Sequence, residues 1–155
     1  MSGENRAKTV LIGVGNSALR DEGVGGRIIR ELGGRTPPGV EVVDAGLPGF
    51  GLIALLEGRE KAVIIDAIDA DGPPGTVYRF RADRVASARA RPSCSLHQGD
   101  VLQYVKLAEA LGMGPKEVVL IGVQPGNFSP GEDLSPAVEA AIPEAAALAL
   151  AEASS

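Results

Sequence analysis

Three side chains of this sequence, Glu22, Asp66 and His97, carry the groups that could bind a metal ion or move a proton, and each stands beside an apolar run. Glu22 follows Asp21 a few residues after the strand-like run Val10 to Ile12, and it precedes Val24, Ile28 and Leu32 at helical spacing. Asp66 ends the nearly all-apolar stretch KAVIIDA, 61–67. His97 is the only histidine of the chain and opens an amphipathic helix whose Val101, Val105, Ala108 and Leu111 share one face. Two carboxylates and one imidazole form a hard-to-borderline ligand set suited to Ni²⁺, Zn²⁺, Mn²⁺ or Fe²⁺. Each residue also has a structural explanation. Glu22 in a first helical turn complements the helix dipole; Asp66 can cap a loop, though a carboxylate directly after Val-Ile-Ile needs a partner; His97 can be a capping or surface residue. Asp44 reads equally as a turn former and Gln124 as a loop hydrogen-bonder, and Cys94 as a packed thiol or a fourth ligand.

The elements that must position these groups alternate along the chain. Strands are expected at about Thr9–Val14, Val40–Ala45, Lys61–Ala67, Thr76–Phe80 and Val118–Val123. Helices are expected at about Asp21–Gly33, with Asp21 as N-cap and Gly33 as stop, and at Phe50–Gly58, Gln98–Leu111 and Pro136–Glu152. The last begins with Ser135 as N-cap and Pro136 at the first position, and Pro143 inside it removes a hydrogen bond. The pattern predicts an α/β fold: one three-layer domain over 1–155, with a mostly parallel twisted sheet of about five strands and helices on both faces. Residues 1–8 and 153–155 are expected to be loose. The fourth strand follows the third after a short loop, so it runs antiparallel to it. Asp44, Asp66 and Gln124 all fall at carboxyl ends of strands, where open α/β sheets place their chemistry.

Composition narrows the classes. The chain has 155 residues, 45% of them apolar and only 3% aromatic, so its core is aliphatic. A net charge of −5 argues against a nucleic-acid or membrane-surface partner. The arginines at 79, 81, 84, 89 and 91 are either a solvated loop or a local positive surface for an acidic segment. No apolar run reaches a membrane span, and a single cysteine excludes a disulfide framework and a Cys-rich zinc site. A cytoplasmic location is therefore expected. No G-x-S-x-G elbow, HExxH or Walker A motif occurs. Gly13, Gly15 and Ala18 fit the loose G-x-G-x-x-G/A pattern of dinucleotide sites, with Asp44 ending the next strand. The charges of Asp21 and Glu22 would repel a pyrophosphate at that helix start.

Five blocks, GVGNSALRDEGVG (13–25), VDAGLPG (43–49), VIIDAID (63–69), SLHQGD (95–100) and GVQPGNFSPGEDLSPAV (122–138), together resemble the maturation endopeptidases of nickel–iron hydrogenases. The resemblance runs from about Thr9 to Ile142, with the blocks in order. It implies an α/β endopeptidase that removes a C-terminal extension from the hydrogenase large-subunit precursor after nickel insertion. Glu22 matches the acidic ligand of the G-N-x-x-x-x-D-D/E-G block, Asp66 the Asp ending the third strand, and His97 the His opening the next long helix. By that resemblance these three bind metal, with Glu22 and Asp66, or a water they hold, nearest the chemistry. The Asp44-Ala-Gly46 stretch resembles a substrate-recognition loop in which many members have a second Gly in place of Ala45; Gln124 is a further recognition candidate. Nickel would arrive with the precursor, with zinc or cadmium able to substitute. The metal would act either as a Lewis acid or as the feature the protein senses, and the resemblance favours sensing. The implied partner is the large-subunit precursor and the implied state a monomer. A non-hydrolytic assembly factor for the nickel site and a nucleotide-binding domain are the alternatives.

Overall fold

The computed structural model describes residues 6–83 and 97–155, with side chains in the second stretch described from residue 101. The strands are β1 (Thr9–Val14), β2 (Val40–Gly46), β3 (Lys61–Ala67), β4 (Val77–Arg81) and β5 (Glu117–Val123). The α-helices are α1 (Val24–Leu32), α2 (Gly51–Leu56), α3 (His97–Ala110) and α4 (Pro136–Ala153). The sheet order is β2-β1-β3-β5-β4, parallel except for β4. β3 is buried along its whole length, as its apolar run requires for a strand covered on both faces. The expected direction of β4 is observed, but its neighbour is β5, which lies between it and β3. A short loop fixes the reversal of direction and leaves the pairing partner open.

Strand alternation divides the core into two apolar layers. Leu11, Val63, Ile65, Val119 and Ile121 pack with α1 and α4 on one face. Val10, Ile12, Ile64 and Leu120 pack with α2 and α3 on the other. The connection from β1 to β2 uses α1, and the return from β2 to β3 uses α2 on the opposite face. The chain therefore reverses its winding between β1 and β3, and the crevice outside their carboxyl ends is the switch point of the sheet.

Several local expectations are corrected. Asp21 does not cap α1; it lies inside a short 3₁₀ turn, Arg20–Gly23, that precedes the helix. Gly33 does end α1 in the left-handed conformation. Ser135 precedes α4, but its side chain makes no cap bond and donates to Asp21 instead. Leu111 lies past the end of α3 and is exposed, whereas Val101, Val105 and Ala108 are buried as the stripe requires. The segment 6–8 is not loose: Arg6 donates to the carbonyls of Ala54 and Glu57 at 2.6 and 2.8 Å, closing the end of α2. Nor is the other end, where Ala153 is buried and the Ser155 hydroxyl accepts from Lys61 Nζ at 2.6 Å. Among the described residues no helix is long and apolar enough to cross a membrane.

Candidate active site

Gly13 is the last regular position of β1, and a Cβ there would fall 2.6 Å from Ile29 Cγ1 and 2.7 Å from the Gly25 carbonyl. Gly25 in turn sits against the carbonyls of Val14 and Ile65, which a Cβ would meet at 2.5 and 2.4 Å. These two glycines bring the start of α1 down onto the carboxyl ends of β1 and β3, so Gly13 serves packing. The turn belongs to Gly15, whose φ of +129° is open to glycine and closed to most side chains. A Cβ on Gly15 would lie 1.9 Å from the Glu22 carbonyl and 3.4 Å from Asp66 Oδ1. The backbone of the Glu22 turn and the Asp66 carboxylate thus close on the same atom-sized gap from two sides. Glu22 and Asp66 are each only 6% exposed. Asp66 Oδ1 accepts from the Ala67 amide at 2.8 Å, which fixes the carboxylate at the strand end.

Beside this pair runs a groove of about 300 Å³, lined by Gly15, Ser17, Gly23, Gly26, Arg30 and Asp44 among others. Gly23, Gly26 and Arg30 recur at helical spacing, so one face of α1 is stripped to backbone and ends in a cation. Asp44 is exposed and stands opposite Gly26, where a Cβ would come within 3.1 Å of both its carboxylate oxygens. Gly46, with φ of +59°, accepts the Gly15 amide at 2.8 Å and so joins the end of β2 to the turn. A hollow of about 350 Å³ between α1 and α4 contains the Arg27–Glu139 ion pair and carries neither Glu22 nor Asp66.

Gln124 is buried and fully committed to its own chain. Its Oε1 accepts from the Ala70 and Gly72 amides and from the Tyr78 hydroxyl at 2.8, 3.2 and 2.9 Å, and its Nε2 donates to Asp69 at 2.9 Å. The bonds from Gln124 and the Asp71 amide hold the Asp69 carboxyl below its ordinary pKa. The side chain staples the β3–β4 loop to the end of β5, which is the loop-bonding role its position also suggested. His97 is the first residue of α3, but its side chain lies outside the described residues, as does Cys94. Among the described residues no group of three ligating side chains is assembled. Of the basic run, Arg79 pairs with Glu152, and Arg81 with Asp83 and Glu117; positions 84, 89 and 91 lie outside the described residues.

The residue that sequence reasoning misread is Asp21. It is fully buried, and its carboxylate accepts from the amides of Gly126, Asn127 and Ser135 and from the Ser135 hydroxyl, all at 2.6–2.8 Å. Burial alone would raise its pKa; the bonds from Ser135, then from Gly126 and Asn127, outweigh that and leave it below the ordinary value. Asp before a helix resembles an N-cap, so only the unusual Asp-Glu pair followed by Gly23 hinted at another role. The same turn removes the basis for a phosphate cradle. The amides of Gly15, Ala18, Leu19, Arg20, Asp21 and Glu22 all donate within the protein, to Gly46, Asn16, Asn16, Gly131, Asn127 and Leu19 respectively. A dinucleotide loop must leave such N–H groups for the pyrophosphate.

A family model described as hydrogenase maturation protease matches residues 27–152. The hydrogenase expression/formation protein HupD of Bradyrhizobium diazoefficiens is 34% identical over 134 residues, covering 84% of this chain and 70% of that protein. The hydrogenase 2 maturation protease of Escherichia coli is 33% identical over 138 residues, covering 87% and 84%. Among solved structures, the hydrogenase maturating endopeptidase HybD from E. coli superposes with a TM-score of 0.82 at 32% identity, covering 94% of this chain and 91% of that one. The nickel–iron hydrogenase maturation protease HybD from Thermococcus kodakarensis gives 0.80 at 28% identity, covering 94% and 99%.

Proposed function

This chain belongs to the hydrogenase maturation protease family, and on that premise we propose that it cleaves a hydrogenase large-subunit precursor only after reading its nickel through Glu22, Asp66 and His97. The protein is a peptidase of the family, and the bond cut is the one that frees the precursor's C-terminal extension. The observation that supports the nickel reading is the closure of the Glu22 turn and the Asp66 carboxylate around Gly15, in the crevice between β1 and β3. Glu22 and Asp66 are both more than nine-tenths buried, and carboxylates are the oxygen ligands that divalent cations take.

In this reading nickel is part of the substrate, and zinc or cadmium can stand in for it. The Glu22 and Asp66 carboxylates and the His97 imidazole complete its coordination, and the held cation aligns the scissile segment in the groove beside Asp44 and Gly46. A precursor without nickel lacks that anchor and escapes cleavage. Glu22 and Asp66, or a water between them, then lie nearest the peptide bond to be cut. The protein acts as a cytoplasmic monomer.

The test is a processing assay on nickel-loaded and nickel-free cognate precursor, read by mass spectrometry of the released peptide. Release from the nickel-loaded form alone, abolished by His97→Ala, is the expected result. Equal cleavage of both forms would refute nickel reading, and no cleavage of either would refute the assignment of substrate.

A further inference from the structure

The 3₁₀ turn that carries Glu22 is poorly equipped to hold its own shape. It is four residues long, has no side-chain cap, and begins at Arg20 with φ of +46°, a left-handed conformation that a bulky residue resists. What holds it is a loop from more than a hundred residues later in the chain. The Arg20 amide donates to the Gly131 carbonyl at 2.9 Å, and the Gly131 amide returns a bond to Ala18 at 2.8 Å. The Asp21 amide donates to the Asn127 carbonyl at 3.1 Å, and Arg20 Nε donates to the Ser129 hydroxyl at 3.1 Å. Gly131, at φ of +148°, lies so close under the Arg20 guanidinium that a Cβ would meet Cζ at 2.8 Å. At the centre is Asp21, its two oxygens taken by Gly126, Asn127 and Ser135.

A turn needs no fully buried carboxylate merely to close; a solvent-exposed Ser or Asn would suffice. The aim of the neighbouring residue is what such a clamp fixes. We infer that Asp21 is a positioning residue, which locks the turn onto the 126–135 loop and so sets where the Glu22 carboxylate stands against Asp66. This inference rests on the proposed role of Glu22. It gives the 126–135 loop a task in the reaction through its hold on Asp21. It also explains why the block at 122–138 accompanies the block at 13–25: the two are halves of one joint.

The experiment measures kcat and KM for processing of nickel-loaded precursor by the wild-type chain, Asp21→Asn, Ser135→Ala, Leu56→Ala and Glu22→Gln. Asn keeps the size of Asp but turns an N–H donor toward backbone amides that need acceptors. Asp21→Asn is expected to lower kcat by about 10–100-fold with KM within about threefold, the penalty of a small misplacement. Ser135→Ala removes one bond and is expected to lower kcat about threefold to tenfold. Leu56→Ala weakens the core on the other face of the sheet and should leave kcat of the folded enzyme within about twofold. If Asp21→Asn is folded and keeps the wild-type kcat, or changes KM alone, or if Leu56→Ala loses as much kcat as it does, the inference fails. Should Asp21→Asn not fold, Ser135→Ala decides: an unchanged kcat overturns the inference. Full activity of Glu22→Gln would instead sink the reading of Glu22 itself.

Discussion

At the amino-terminal edge of the sheet, Lys61 and Arg59 are buried cations met by carboxylates and carbonyls: Lys61 Nζ lies 3.1 Å from Glu152 and 3.4 Å from Glu117, and Arg59 lies 2.6 Å from Glu41 and 2.9 Å from the Ala7 carbonyl. At the carboxyl-terminal edge the buried residues are acids: the Glu22 turn and the Asp66 carboxylate close on Gly15, while Asp21 turns to the amides of Gly126, Asn127 and Ser135. The first arrangement balances charge within the chain and needs nothing further. The second places the buried Glu22 and Asp66 where the winding of the sheet opens a crevice, and the proposed function assigns them to a cation that arrives with the substrate. On that proposal the same sheet separates a structural use of buried charge from a functional one.

If that contrast is right, the two edges respond oppositely to neutralising substitutions. Glu22→Gln or Asp66→Asn should lower processing at least about 100-fold, while unfolding in urea shows stability unchanged or raised, because a desolvated carboxylate has been removed. Lys61→Ala should do the reverse. It leaves Glu117 and Glu152 with less compensation and is expected to cost about 2–3 kcal/mol by the same urea measurement, with kcat of the folded protein unchanged. A loss of activity at Lys61 matching that at Glu22 would erase the distinction. Asp44→Ala probes the groove beside the acids: Asp44 is exposed, so stability should shift by no more than about 0.5 kcal/mol, while the KM for precursor rises about tenfold.

The smallest effect concerns acid. Arg79, ahead of Lys61, holds the Glu152 carboxyl below its ordinary pKa despite the burial that would raise it. A folded-state pKa below the unfolded value means that the stabilisation is complete above the unfolded pKa of about 4.3 and is lost as pH falls through the folded one. Glu152→Gln should therefore be less stable than wild type near neutrality and should lose less stability on acidification below about pH 4. Parallel acid limbs for the two proteins would show that Glu152 contributes no such linkage.

Much of this layout was legible in the residues. The bounds of β1 and β3 follow from runs of apolar side chains that alternate between two packed layers, and the position of Asp66 follows from the end of such a run. What was not legible depends on partners distant in sequence. The side-by-side order of β4 and β5 is a matter of packing, not of local pattern. Asp21 has the residue type of an N-cap, and its true partners are about 105–114 positions away. Gln124 showed its place at a strand end but not that the β3–β4 loop would take up its amide. Arg30 enters the groove only because Gly23 and Gly26 leave its face of α1 bare.

The most direct test of the central claim is anomalous diffraction from crystals of this protein soaked with cadmium as a stand-in for nickel. One peak is expected in the crevice between β1 and β3, within about 2.0–2.5 Å of carboxylate oxygens from both Glu22 and Asp66 and of an imidazole nitrogen of His97. A crevice without density, or a His97 ring turned away from a cation held there, would contradict it.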